Sequence, residues 1–525
     1  MAAARQFPEG FHLGAATAAF QIEGAAAEDG KRDSIWDVFC REPGRVANGD
    51  DGTLACDHYH RMPSDVQLMA DLGLTTYRFS ISWPRVLDGD RVNEPGMDFY
   101  SRLVDELLAR DITPWLTLYH WDLPASIEGG WTNRDTAQRF VDYARTVHAR
   151  LADRVRIWTT LNEPWCSSFL SYAAGVHAPG TTDATAAVRA AHHLLLGHGW
   201  AVQALREADP TATLGISLNL TPVMPASDDP ADVDVARRID GTLNRYFADP
   251  IFKGRYPADV VADLGEHFPD DLVADGDLEA ISSPIDVLGV NYYTTNVFRA
   301  GDPSDAPTPH VTAPNAVQVL RDLPTTAMGW EVDPAGLTRL LTRFHQDYTA
   351  DSGTGLVVTE NGAAYDESPD ETGYVDDTAT RLDYLRRHLA AVHDALTAGV
   401  DVRGYLVWSL IDNFEWSFGY SKKFGIVAMD ADLNRVPKAS AHWYSGVART
   451  GVVPAEPVAG ETLTGDTPAS RVSLSAKVAL TGGLDFWHTQ AVDEAELPSV
   501  MITDGPHGLR KQAGAAADIV GINES

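Results

Sequence analysis

"TTLNEPWC", residues 159–166, is a β-branched run that ends on a carboxylate, Glu163, and is stopped at once by a proline. "VVTENGAA", residues 357–364, repeats the arrangement around Glu360 and closes on a glycine. Both read as apolar strands that finish on an acid beside an Asn. Working outward from them, further strand candidates are "FHLGAATAA" (11–19), "TTYRFSIS" (75–82), "TPWLTLYH" (113–120), "TLGISLNL" (213–220), "DVLGVNYY" (286–293) and "VRGYLVWSL" (402–410). The two acid-ended candidates extend over "VRIWTTLN" (155–162) and "GLVVTE" (355–360), which makes eight in all. Helical periodicity fills many of the gaps, as in "MDFYSRLVDELLARD" (97–111) and "ATRLDYLRRHLAAVHDALTAG" (379–399). Strands alternating with helices predict a parallel sheet. Eight such units spread over about 450 residues predict an α/β protein with a closed (β/α)8 barrel. The runner-up, an open doubly wound sheet, has no GxGxxG after its first strand to support it.

Several candidates end in polar or aromatic residues: His120, Asn162 with Glu163, Asn291 to Tyr293, Glu360 with Asn361, and Trp408. In a barrel all parallel strands finish at one face, where sites are built, so these groups are expected to converge. Composition narrows what they could do. The chain has 525 residues, 44% hydrophobic, with 41 basic against 74 acidic side chains and a formal charge of −33. Such a surface disfavours nucleic acid and anionic membrane surfaces as partners, although solubility is the blander meaning of the charge. Three scattered cysteines suggest neither a disulfide framework nor a metal site. No run approaches the roughly 18 apolar residues of a membrane span. "MAAARQFPEGF" has no basic region followed by an apolar one, so the expected compartment is the cytoplasm.

Two carboxyls facing one cleft suit glycosidic bond cleavage, where one must hold a proton and the other must stay ionised. Pro164 and Trp165 beside Glu163 favour it as the proton holder, and on the residues alone that is only a preference. Metal chemistry finds no HExxH, and His192, His193 and His198 on one helical stretch read better as core or surface residues than as ligands. Neither GxSxG nor a P-loop is present. Thirteen tryptophans include Trp83, Trp115, Trp121, Trp165, Trp330, Trp408 and Trp416, many of them near strand ends. Trp115 reads as barrel core, whereas Trp408 and Trp416, flanking an acidic segment, read as platforms for a sugar's C–H face.

"TLNEP" (160–164) and "TENG" (359–362), with "FHLGAATAAFQIEG" (11–24), "RFSISWPR" (78–85), "LYHWDLP" (118–124), "GVNYYT" (289–294) and "WSLIDNFEWSFGYSKKFGI" (408–426), resemble glycoside hydrolase family 1, the β-glucosidase family, over roughly residues 6–450. The resemblance implies a (β/α)8 barrel cleaving β-glycosides with retention and without metal or cofactor. It implies Glu163 as acid/base and Glu360 as nucleophile, with Asn291 and Tyr293 supporting the nucleophile. It implies Gln21, His120, Asn162, Glu415 and Trp416 on the hydroxyls of the glycone, and Trp408 against its ring. Trp165 and Trp330 resemble walls on the aglycone side, with His177 and Phe424 as neighbours. The expected substrate is a short or aryl β-glucoside. A 6-phospho-β-glucoside is the runner-up, because Lys422 and Lys423 could favour it where Glu415 opposes it. A sugar-binding protein without catalysis is a different class of reading, and both glutamates being intact speaks against it.

After "SAHWYSGVARTG" (440–451) the composition changes. The catalytic domain is expected over 1–451, a Pro/Gly/Thr-rich linker over 452–470, and a non-catalytic segment over 471–525. Within that segment "TDGPHGLR" (503–510) resembles the N-terminal start of family 3 β-glucosidases, whose pocket would take Asp504, Arg510 and Lys511. The chain stops at Ser525, short of that family's nucleophile, so no complete second site is expected.

Overall fold

The computed structural model describes residues 4–454 apart from 303 and 305. All but the first three residues of the expected linker, and the whole segment resembling family 3, lie outside the described residues. Eight parallel strands close a barrel in sequential order: β1 His12–Ala16, β2 Thr76–Ser80, β3 Thr113–Tyr119, β4 Ile157–Asn162, β5 Thr213–Asn219, β6 Val287–Asn291, β7 Gly355–Asn361 and β8 Val402–Trp408. Every expected strand is present, and β8 returns to β1 through Trp408 opposite Ala16. The strands are almost wholly buried because helices cover the outside and side chains fill the inside, which is why they read as near-continuous apolar runs. The interior is tight. A Cβ at Gly289 would lie 2.2 Å from Ser217 Oγ and 2.7 Å from Thr359 Oγ1.

The outer layer includes α1 His58–Asp71, α2 Glu94–Leu108, α3 Asp135–Leu151, α4 Ala184–Ala208, α5 Pro334–Phe344, α6 Asp383–Thr397 and α7 Ala439–Thr450. Helix α2 starts three residues before the periodic run, since Pro95 suits a first turn. It ends before Asp111, which adopts a left-handed φ of 56°. The run over 379–399 divides into a π-helical turn, Thr378–Leu382, and α6. Past the boundary expected at 451, Val452 and Val453 pair antiparallel with Gln6 and Arg5.

Two irregularities position the site. Thr159 of β4 pairs with Gly215 of β5 and Asn162 with Ser217, so three steps on β4 span two on β5. On β7, Val358 pairs with Val290 and Glu360 with Asn291, again inserting one residue. A bulge of this kind re-aims the side chains that follow it. Both glutamates therefore emerge from bulged strand ends. The glycine of "TENG" has a packing cause, because a Cβ at Gly362 would lie 1.7 Å from Trp408 O.

Candidate active site

Arg78, in the middle of β2, is the hub. Its guanidinium is 1% exposed and donates to Glu360 Oε1 at 2.7 Å and to Asn162 Oδ1 at 2.6 Å. Asn291 at the end of β6 also donates to Asn162 Oδ1, at 3.0 Å, and to Glu163 Oε1 at 2.8 Å. Tyr293 donates to Glu360 Oε2 at 2.7 Å. With both donors fixed on its oxygen, Asn162 must turn its amide nitrogen to His120 Nε2, 3.0 Å away. That leaves the His120 proton on Nδ1, which has no partner. Burial, aided by the charge of Arg78, lowers the pKa of His120 well below the ordinary range, so the ring is neutral and offers a free donor.

The two carboxyls meet different surroundings. Glu163 is 6% exposed, faces no cation directly, and is pushed up to about 8 by burial and then by the charge of Glu360. Burial also raises Glu360, but the Arg78 charge and hydrogen bond, the Tyr293 hydroxyl and a lesser contact with Asn291 all pull the other way. Glu360 therefore ionises first, and Glu163 keeps its proton near neutrality. Glu415, in the loop after β8, is likewise raised to about 8 by burial and by the other two carboxyls.

A cavity of about 350 Å³ opens over this network. Of the residues expected from the sequence, His120, Glu163, Trp165, His177, Asn291, Tyr293, Trp330, Glu360, Trp408, Glu415, Trp416 and Phe424 line it. Gln21 and Asn162 are fully buried and are not among the lining residues, but both bond residues that are. Gln21 donates to Glu415 Oε2 at 3.4 Å and to Phe414 O at 2.7 Å, while its own Oε1 has no partner. Trp408 lies against His120, with ring centroids 5.7 Å apart. Tyr293, Trp330 and Phe424 form one aromatic wall, and His177 packs on Trp121 at 5.2 Å. Burial lowers His177 to about 3, so it too is neutral.

Asn361, expected beside Glu360 in the site, is elsewhere. It donates to Tyr292 O and to Tyr384 OH of α6, and accepts from Tyr405 OH at 2.6 Å. The histidines of α4 are also outside the cavity: His192 bonds Asp277 and Tyr256, His193 bonds Trp131 O, and His198 bonds Thr160. Trp115 fills the barrel interior and donates to Thr159. Sequence reading missed Arg78, Cys166, Phe418 and a polar end made of Asn219, Thr221, Asn296, His310 and Gln318. Arg78 left a signal, a lone cation at the centre of a strand of the barrel wall, where a packed interior must neutralise it. Trp121, Glu163 and Trp416 all hold left-handed φ values, of 78°, 48° and 52°, in one cavity. Non-glycine residues take that conformation at a cost and cluster where function needs it.

A sequentially closed barrel whose cavity pairs a proton-bearing carboxyl with a cation-held carboxylate, between indole walls, defines a glycoside-cleaving hydrolase. The chain belongs to Glycosyl hydrolase family 1, whose sequence profile matches residues 3–452. Enzymes of this family act with retention. Thermostable beta-glucosidase B of Thermobispora bispora is 49% identical over 451 residues, covering 84% of this chain and 90% of that one. The bifunctional beta-D-glucosidase/beta-D-fucosidase of Bifidobacterium breve is 48% identical over 83% of this chain and 97% of its own. Among solved structures, a psychrophilic beta-glucosidase from Micrococcus antarcticus superposes with a TM-score of 0.81 at 50% identity, covering 84% of this chain and 97% of that one. Among the described residues no helix is long and apolar enough to cross a membrane.

Proposed function

We propose that the chain is a retaining β-glucosidase that removes terminal non-reducing glucosyl residues from short or aryl β-glucosides. The observation that carries this reading is the inequality of the two carboxyls. Arg78 and Tyr293 favour a charged Glu360, while burial and that charge favour a protonated Glu163. Glu360 attacks the anomeric carbon as Glu163 gives its proton to the departing oxygen, and the glycosyl–Glu360 ester results. Glu163, now ionised, takes a proton from water as that water attacks the same carbon, which releases the sugar and restores both groups. Direct attack requires carboxyls about 5–5.5 Å apart.

The glycone is assigned to Gln21, His120, Asn162, Glu415 and Trp416, with its C–H face on Trp408. The free acceptor of Gln21 and the free donor of His120 supply complementary partners for sugar hydroxyls. Trp165 and Trp330 are assigned to the aglycone. A 6-phosphoglycoside is disfavoured, because no Lys or Arg is among the described lining residues. Lys422 instead donates to Ala327 O, and Lys423 lines a separate pocket. A cytoplasmic location is supported by three free cysteines, Cys40, Cys56 and Cys166.

Initial rates on p-nitrophenyl β-glucoside, β-galactoside, β-fucoside and 6-phospho-β-glucoside test the reading. Fast glucoside turnover with a slow phosphorylated substrate agrees with it. Turnover confined to the phosphorylated sugar means that Glu415 has been misassigned, and no turnover by folded protein moves the weight to a binding function.

A further inference from the structure

Glu163 Oε1 is committed to the amide of Asn291, a group that only donates at that nitrogen, so a proton on the carboxyl must sit on Oε2. The neighbour at Oε2 is the thiol of Cys166, 3.3 Å away. Cys166 reaches this place because the chain turns at once after the strand. Its backbone N–H donates to Glu163 O at 3.0 Å and opens the π-helical turn Cys166–Ala173. Its thiol lines the cavity, is 6% exposed and is in no disulfide.

We propose that Cys166 is a positioning residue for the proton of Glu163, holding the carboxyl plane and serving both of its protonation states. The inference rests on Glu163 being the acid/base. When Glu163 is ionised the thiol donates to Oε2. When Glu163 is protonated the S–H rotates away and the sulfur becomes a weak acceptor. An ammonium group at this position, which only donates, would favour the charged state alone, whereas a rotor follows the carboxyl through the acid and the base halves of the cycle. Burial, with Glu163 beside it, raises the thiol well above the ordinary cysteine range, so it stays a donor and adds no second negative charge.

The test is the pH dependence of kcat/KM for wild type, Cys166→Ala and Cys166→Ser, on p-nitrophenyl β-glucoside and cellobiose. Loss of a donor that favours the ionised form raises the pKa of Glu163, so the alkaline limb of Cys166→Ala moves up by roughly half a pH unit. Cys166→Ser keeps a rotating hydroxyl and returns the limb to within about 0.2 units of wild type. Identical limbs in all three proteins, or equal shifts in Ala and Ser, overturn the proposal. Glu163→Ala with added azide, run alongside, separates the two ideas. Rescue with formation of β-glucosyl azide keeps the acid/base assignment whatever Cys166 does, and α-glucosyl azide or absence of rescue removes that assignment itself.

Discussion

The ends of β4 and β7 look alike in sequence and, apart from Asn291, which touches both glutamates, differ in their neighbours. Each ends on a glutamate next to an asparagine, and each is bulged just before it. At β7 the carboxylate meets a buried guanidinium and a phenol, and its asparagine turns away to tyrosines on β8 and α6. At β4 the carboxyl meets an amide and a thiol, and its asparagine carries the link back to Arg78. Local sequence thus supplies two interchangeable acids, and the strands on either side decide which keeps a proton. Burial in a low dielectric magnifies that choice, because a lone cation beside one of two close carboxyls is enough to separate their titrations.

This contrast orders the expected effects. Glu360→Ala removes the proposed nucleophile, and kcat should fall about 10⁵-fold or more in steady-state assays. Glu163→Ala should cost about 10²–10⁴-fold on cellobiose and much less on a p-nitrophenyl glucoside, whose leaving group needs little protonation. Arg78→Lys breaks the two-way bridge between Glu360 and Asn162. A loss of roughly 10²–10³ in kcat/KM is expected, with the acidic limb shifted to higher pH because Glu360 loses what held its pKa down. An unshifted acidic limb would show that Arg78 does not set the charge of Glu360. For wild type the same logic gives a bell: kcat/KM falls in acid as Glu360 takes a proton, and falls above about pH 8 as Glu163 loses one.

The smaller effects sharpen the comparison further. Tyr293→Phe, which deletes one hydrogen bond to the carboxylate, should lower kcat by about 10–100-fold with little change in thermal stability. The paired asparagines should part company. Asn162→Ala should lower kcat/KM by about 10²-fold, since it frees Arg78 and His120 together. Asn361→Ala should change kcat/KM by less than about tenfold while costing roughly 1–3 kcal/mol in urea unfolding, because it orphans the buried Tyr405 hydroxyl and removes a donor from Tyr292 O.

Much of this was legible beforehand, for physical reasons that differ by element. The eight strands announce themselves because burial on both faces demands apolar β-branched runs, and their polar ends announce the open face. Asn361 could have been placed better from the sequence itself: successive residues on a strand point to opposite sides, so Glu360 and Asn361 could not both face the cavity without a further irregularity. The bulges could not be read, because register is a relation between strands distant in the chain. For the same reason Arg78 showed only as an unexplained charge in "RFSISWPR" until β4 and β7 were set beside β2. His310 and Gln318 lie on an excursion between β6 and β7 with no strand-end pattern to mark them. Cys166 sits inside the opening motif itself, yet its meaning depends on a side-chain contact that spacing alone does not show.

The most direct test of the division of roles is to trap the intermediate with a 2-deoxy-2-fluoro-β-glucosyl substrate bearing a good leaving group, then locate the adduct by peptide mass spectrometry. The account predicts one sugar per chain, on Glu360. An adduct on Glu163, or complete inactivation with the label on neither glutamate, would contradict it.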